Sequence, residues 1–301
     1  MEKIYMISQN EVLPIEEADI CVGNRNIFSL FKKIVSGETM ERGFSPFEVM
    51  EARGSVCFKL AEHLERLFYS VKFCRIKIPY SIDELSLFIA KALESAGLKE
   101  SILRLDVILG EEGAAEPLIF LIKIRLKKEK KPLALKTFEF SRIMPNLKVS
   151  GGYVYAQIEK RSSPDYDDIL YFTPKQYGHF FTETSRGNFF AIFWSGISNK
   201  YYVHGAKSSS ILQGITYRTL LKIDSISDKF IFTNNGIHLD GLKFIKEAFI
   251  TSSSNRIIPI RKIDEHFLDI GTDGKGGPIT SRLSELFDAY VDDYYQQKIK
   301  L

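Results

Sequence analysis

The 301-residue sequence predicts an α+β fold in two domains, and three observations carry that prediction. Strand-like runs are short and closely spaced, helical patterns are few, and a charged stretch ending at Pro132 divides the chain. A doubly wound parallel sheet would instead need regular strand–helix alternation throughout. With 45 % hydrophobic and 26 % charged residues the composition is that of a globular protein, and each half is long enough to bury its own core. The boundaries read from the pattern are a small N-terminal α+β domain over 1–128, a linker over 129–134 and a larger domain over 135–301.

In the first half, "FEVMEARGSVCFKL" reads as two short strands meeting at Arg53-Gly54-Ser55, a hairpin. The chain runs on into "AEHLERLFYSVKF", where Leu60, Leu64, Leu67, Phe68 and Val71 recur on one helical face. A second amphipathic helix is predicted in "IDELSLFIAKALESAG", opened near Ser81 and stopped by Gly97. Two strand-like runs, "SILRLDVILG" and "PLIFLIKIRL", complete the domain. The basic run "IRLKKEKK" contains Glu129 and reads as a solvated strand end leading into the linker.

The second half opens with the strand "LALKTFEFS", followed by "MPNLKVSGGYVYAQIEK", in which a Gly-Gly turn leads into a helix. Strands follow at "DDILYF", "GHFFTE", "NFFAIFW" and "KYYVHG", then a helix after Gly214. The run "FIFTNNGIHLDGLKFIKEAFIT" mixes strand and helix signals, and "PITSRLSELFDAYVDDYY" is a closing helix.

A formal charge of +3 on this length shows no basic excess of the kind that nucleic acid binding needs. No apolar run reaches the roughly 18 residues of a membrane helix, and the first twenty residues hold no apolar signal core. Cys21, Cys57 and Cys74 cannot all pair, and their spacing fits no metal site; reduced thiols in a cytoplasmic protein are the expectation.

Several residues admit two readings. Arg66 is either a surface arginine paired with Glu62 one turn back, or a planar fork for a phosphate. Gly214 precedes a helix whose first amides can bind an anion. Ser252, Ser253 and Ser254 form either a plain turn or a hydroxyl cluster for an anion. Glu183 is either a loop carboxylate beside Arg186 or a buried acid facing a heterocyclic nitrogen. Lys148 is either a solvated amine or, held at a strand–turn junction, one whose pKa is lowered for imine chemistry.

Taken in order, the set is more specific than its members. An arginine on a helix, a lysine before a Gly-Gly turn, a strand-flanked glutamate, a Gly-Ile-Thr helix start and a hydroxyl-rich turn before Ile-Pro follow one another. This order resembles the class IV (fold-type IV) pyridoxal-phosphate aminotransferases, which include branched-chain aminotransferases, D-amino-acid aminotransferases and aminodeoxychorismate lyases. The resemblance runs from about residue 44 to the ending "GKGGPITSRLSELF".

The resemblance implies a pyridoxal 5'-phosphate enzyme with a small α+β domain and a larger pseudo-barrel domain, usually a homodimer. Lys148 would form the Schiff base and carry the proton, and Tyr153 would bind the cofactor's phenolic oxygen. Glu183 would face the pyridine nitrogen, with Asn188 in a supporting structural role. Arg66, the amides of Ile215 and Thr216, and Ser253 would hold the phosphate. Phe47, Arg104, Ser253 and Ser254 would line the substrate, an amino acid or 2-oxo acid; no metal is implied. Arg104, six residues before Gly110, is similar to the substrate-side arginine of the branched-chain group, and Leu109 stands where the other groups usually carry arginine. A branched-chain-like transaminase with 2-oxoglutarate as acceptor is therefore expected. A lyase eliminating pyruvate or a D-amino-acid aminotransferase is the alternative, with a repurposed, non-catalytic dimer as a further reading. Three departures from the family pattern stand out. The segment "GNRNIFSLFKKIVSGETMERGFS" replaces the usual Asp-Arg-Gly turn, Ser45-Pro46 precedes Phe47, and Ser254-Asn255-Arg256 closes the last motif.

Overall fold

The computed structural model describes the chain except for residues 1, 9, 16–20, 23–24, 27–44, 110–117, 196–199, 224–229 and 300–301. Most of the atypical segment before Ser45, and Gly110, thus lie outside the described residues. The chain divides into two compact units. The first comprises Met1–Lys127, Leu147–Val154 and Tyr295–Leu301, and the second Lys128–Asn146 and Tyr155–Tyr294.

The first unit holds β1 (Glu2–Ser8), β2 (Glu11–Pro14), the short pair β3 (Cys21–Val22) and β4 (Arg25–Asn26), β5 (Phe47–Arg53) and β6 (Val56–Cys57). These are followed by α1 (Leu60–Phe73), α2 (Ile82–Ala96), β7 (Glu100–Leu109) and β8 (Leu118–Leu126). Six strands form one antiparallel sheet in the order β2-β1-β8-β7-β5-β6. The predicted hairpin turns at Gly54, whose φ of +54° is left-handed and suits a residue without Cβ. The apolar face of α1 packs Leu64, Leu67 and Val71 into a core with Met50, Ala52, Leu103, Leu105, Val107, Phe120 and Ile122. Helix α2 begins and ends as expected. Ser81 and Glu84 form a reciprocal capping box, and Gly97 closes the helix at φ 64°.

Strand alternation gives that sheet two chemically different faces. Met50 and Ala52 point with Leu103, Leu105 and Val107 into the helix-packed core. Phe47, Arg104 and Asp106 take the other phase, since Phe47 pairs with Asp106 and Val49 with Arg104. Glu48 shares the phase of Met50, so the fold drives a carboxylate into the helix-covered side, where it is fully buried.

The second unit contains β9 (Leu133–Glu139), which begins inside the segment read as linker, and all but the first residue of α3 (Val154–Ser162), which follows the first unit's 3₁₀ turn over Ser150–Tyr153. Next come β10 (Asp168–Phe172), β11 (Phe180–Thr184), β12 (Asn188–Ser195), β13 (Lys200–Gly205) and α4 (Ile215–Ile223). Then follow β14 (Phe230–Thr233), β15 (Ile237–His238), β16 (Glu247–Ser252), β17 (Arg256–Ile263), β18 (His266–Phe267) and α5 (Pro278–Ile299). The run between β14 and β16 contains a 3₁₀ helix at Leu239–Phe244 and no α-helix.

Six strands of this unit close on themselves as β12-β16-β17-β9-β10-β11 and back to β12. Closure leaves no free edge within the ring of six, while β13 and β14 branch from β12, β15 from β11 and β18 from β17. The seam between β11 and β12 is a single residue pair, Glu183 opposite Asn188. The barrel interior is filled by Leu135, Leu170, Phe181, Phe189, Ile250, Ile258 and Ile260, among others.

Candidate active site

Lys148 belongs to the first unit, although it follows β9 in sequence. Its backbone is pinned from two sides. The Lys148 amide donates to Ser70 Oγ at 3.2 Å, and its carbonyl accepts from the Phe47 amide at 3.1 Å. Pro46 bridges Val149, and the Ser150 amide donates to the Ser45 carbonyl at 3.0 Å, so the lysine segment extends the sheet at the start of β5. The half-buried side chain lays its amine 4.8 Å from the centre of the Phe47 ring and 6.0 Å from that of Tyr153. These two rings meet edge-on at 5.8 Å. An amine packed among aromatic faces is partly desolvated, with the ring quadrupoles offering weak compensation.

Arg66 does not pair with Glu62, which engages Lys59 at 3.3 Å instead. Its Nε and Nη2 both donate, at 2.7 Å, to the buried carboxylate of Glu48. His63, on the same side of α1, completes the cluster through Nδ1 at 2.7 Å from Glu48 Oε2. Burial alone would raise the Glu48 carboxyl. The charges of Arg66 and His63, with the hydrogen bonds from both, outweigh it and hold the group far below the usual carboxylate range. Burial lowers the His63 pKa; Glu48 opposes that shift, while the positive charges of Arg66 and Lys148 add to it. His63 Nδ1 thus hydrogen-bonds to an ionised Glu48, and the arginine fork is locked in one plane.

Arg104 is reached through Phe47. Its guanidinium carbon lies 4.0 Å from the centre of that ring, and its Nε and Nη2 bind Asp106 side-on at 2.7 and 2.6 Å. The first unit therefore brings together Phe47, Arg104, Lys148 and Tyr153, with Arg66 fixed on α1 beside the same segment.

In the second unit Glu183 is not the exposed partner of Arg186. It is 4 % exposed, and its Oε1 accepts from Arg142 Nη1 at 2.6 Å. The Leu212 amide donates to both of its oxygens, at 3.2 and 3.3 Å. Across the barrel seam, Asn188 grips the same loop, donating to the Leu212 carbonyl at 2.7 Å and accepting from the Gly214 amide at 3.0 Å. A Cβ on Gly214 would stand 2.7 Å from Asn188 Oδ1, so glycine permits this approach. The loop delivers the chain into α4, where the amides of Ile215 and Thr216 lie in the first turn and have no acceptor within the helix. Ser253 and Ser254 are half-buried in the turn from β16 to β17, where the Ser252 and Ser254 hydroxyls meet at 3.2 Å and the Asn255 amide donates to Ser252 Oγ.

Sequence reasoning missed Glu48, His63, Ser70, Asp106 and Arg142. Glu48 and His63 carried a signal. Glu48 falls on the inward phase of an apolar strand, and His63 lies three residues before Arg66 on one helix. The partner of Glu183 carried none, because Arg142 lies 41 positions away in a coil segment.

Among the described residues no helix is long and apolar enough to cross a membrane. The family model described as "Amino-transferase class IV" matches residues 45–263. A branched-chain-amino-acid aminotransferase of Pseudomonas aeruginosa is 26 % identical over 277 residues, covering 84 % of this chain and 85 % of that protein. A D-alanine aminotransferase of Staphylococcus haemolyticus is 33 % identical over 115 residues, 38 % of each chain. The solved branched-chain aminotransferase of the thermophilic archaeon Thermoproteus uzoniensis, with norvaline, superimposes with a TM-score of 0.73 at 21 % identity. That match covers 96 % of this chain and 94 % of the other.

Proposed function

The chain belongs to the class IV aminotransferases, and from that premise we propose that it moves an amino group from a branched-chain-type amino acid to 2-oxoglutarate, using pyridoxal 5'-phosphate. The observation that carries this reading is Lys148, its backbone pinned by Ser70 and Phe47 and its amine packed against two aromatic rings. A solvated lysine has no need of such anchorage.

The donor set matches the chemistry of the cofactor group by group. A held amine, a phenol, a buried carboxylate, a planar cation, a helix start and a turn hydroxyl answer an aldehyde, a phenolic oxygen, a ring nitrogen and a phosphate. When bound, pyridoxal phosphate supplies an electron sink for the pair left by the substrate's Cα–H bond. In this reading Lys148 binds the cofactor covalently and then moves the proton at the substrate Cα. Tyr153 orients the ring through its hydroxyl. Glu183, held in place by Arg142 and the Leu212 amide, faces the ring nitrogen and keeps a proton on it. Arg66, the Ile215 and Thr216 amides and Ser253 bind the phosphate. Phe47 packs the substrate side chain, Arg104 meets the acceptor's distal carboxylate, and the Ser253-Ser254 turn takes its α-carboxylate.

Homodimeric assembly is part of this proposal, supported by the family resemblance. Cytoplasmic residence is supported by the free thiols Cys57 and Cys74. The 115-residue likeness to a D-alanine aminotransferase favours a second reading, in which the donor is a D-amino acid.

The test is the absorbance of the purified protein after adding pyridoxal phosphate. We expect a visible band that disappears in Lys148→Ala, is bleached by L-leucine and returns with 2-oxoglutarate. Bleaching by D-alanine alone would select the second reading. Release of pyruvate from aminodeoxychorismate without amino transfer would select the lyase. No bound cofactor in the wild type, or an unchanged band in Lys148→Ala, would refute the proposal.

A further inference from the structure

The salt bridge beside Phe47 bears on which acids the site prefers. Arg104 and Asp106 alternate with core residues on β7 and so share the sheet face that Phe47 occupies on β5. Asp106 accepts from both Nε and Nη2 of Arg104, the side-on geometry that best matches two carboxylate oxygens to a planar fork. The Phe47 ring under that guanidinium is also the ring against which the Lys148 amine packs. The Lys148 amine and the Arg104 guanidinium thus share one aromatic ring as their neighbour, at 4.8 and 4.0 Å from its centre. The Arg104 side chain is 38 % exposed and Asp106 only 15 %, so a ligand reaches the arginine more readily than its counter-ion.

We propose that Asp106 is a specificity-determining residue: it occupies Arg104 as an internal carboxylate, so that dicarboxylic substrates must compete with it while monocarboxylic ones need not. The inference rests on Lys148 being the reacting amine. With Asp106 in place, the wall formed by Phe47, Arg104 and Asp106 has an aromatic face and no net charge. A side chain without charge packs there with no ionic rearrangement. The distal carboxylate of 2-oxoglutarate or glutamate must either displace Asp106 from the side-on position or accept a poorer, end-on contact. The pair therefore tilts the site toward neutral amino acids without abolishing the dicarboxylic acceptor.

The experiment uses full-length protein loaded with pyridoxal phosphate and two unreactive probes, glutarate and 4-methylpentanoate, with affinities measured by calorimetry. In Asp106→Asn the glutarate-to-4-methylpentanoate affinity ratio should rise about fivefold to tenfold, the scale of one charge-assisted bidentate contact released for the ligand. The ratio of kcat/KM for 2-oxoglutarate over 4-methyl-2-oxopentanoate should rise in parallel. Asp106→Ala should do the same, which guards against a fault particular to asparagine. Adding Arg104→Leu to either variant should erase the gain. If the ratio stays put, or both probes weaken together, Asp106 only braces the strand and the proposal is overturned while the transaminase reading stands. If the loaded protein transfers no amino group from any donor, that reading falls and this inference falls with it.

Discussion

Replacing Glu48 by glutamine is the most demanding perturbation of the first unit, because size is conserved and only a charge and one acceptor are lost. Glu48 is 0 % exposed, receives three contacts of 2.7 Å, and faces an arginine side chain only 9 % exposed. In Glu48→Gln the guanidinium stays buried without its anion, and the new amide sets N–H groups against those of Arg66 or His63. Breaking one partner of a buried pair costs about 3–5 kcal/mol, and the oxygen that glutamine retains places this variant near the lower end. The pH dependence adds an independent signature. The folded Glu48 pKa is depressed, so its stabilisation is complete above the unfolded value of about 4.3 and is lost as pH falls below it. The folded His63 pKa is also lowered, so stability falls as pH drops below about 6.5, where only the unfolded chain takes up that proton. Without Glu48 nothing opposes the depression of His63. The variant should lose the wild type's acid response below about pH 4.3 and show a steeper loss just below 6.5. Hydrogen-exchange mass spectrometry on peptides covering 47–73 reads this unit separately from the second, where unfolding of the whole chain need not be two-state. Protection unchanged to within about 0.5 kcal/mol, or an acid limb identical to the wild type's, would refute the reasoning.

In the same variant, pyridoxal phosphate affinity should fall about tenfold more than that of pyridoxal, which lacks the phosphate that Arg66 is proposed to hold; equal losses would remove Arg66 from that role. Gly214→Ala should strain the loop gripped by Asn188, because the new Cβ would stand 2.7 Å from Oδ1. The expected loss is about 1–3 kcal/mol in thermal unfolding, and an unchanged Tm would mean the asparagine swings away freely. Arg142→Met should cost about 3 kcal/mol by stranding the buried Glu183 carboxylate, and adding Glu183→Gln should restore part of it. A double-mutant cycle with no coupling would show that the two do not act as a pair.

Local signals in this sequence were faithful where one element decides its own form. The spacing of Leu60, Leu64, Leu67 and Val71 defines the buried stripe of α1, and Ser81 and Gly97 bound α2, because periodicity and caps act within a turn or two. The order of Lys148, Glu183 and Gly214 was legible for a different reason: each is tied to a backbone feature the chain writes locally, a turn, a hairpin or a helix start. What was not legible is pairing at a distance. Arg66 had a plausible partner one turn away in Glu62, yet it bonds across 18 positions to Glu48. A desolvated, doubly hydrogen-bonded partner outweighs a solvated one, whose contribution is a few tenths of a kcal/mol. Barrel closure came only through the family resemblance, since its seam is one pair, Glu183 opposite Asn188, and no strand pattern encodes it. The N-terminal strand buries Tyr5 and Ile7 by simple alternation, a period-2 signal that "EKIYMIS" carries.

The two arginine–carboxylate forks of the first unit have the same geometry and opposite consequences, and the difference lies in water. Glu48 is sealed from solvent and its arginine nearly so, so neither charge can leave without stranding the other; the pair fixes Arg66 and cannot act as a switch. Arg104 and Asp106 meet at the same distances, yet the arginine is more than a third exposed, which screens the pair and lets water or a ligand replace either partner at small cost. Position on the sheet sets this contrast. Glu48 takes the inward phase beneath α1, and Asp106, opposite Phe47 on the neighbouring strand, takes the outward one. A one-residue change of phase along a strand thus separates a carboxylate that holds a binding residue rigid from one that competes with the substrate for its partner.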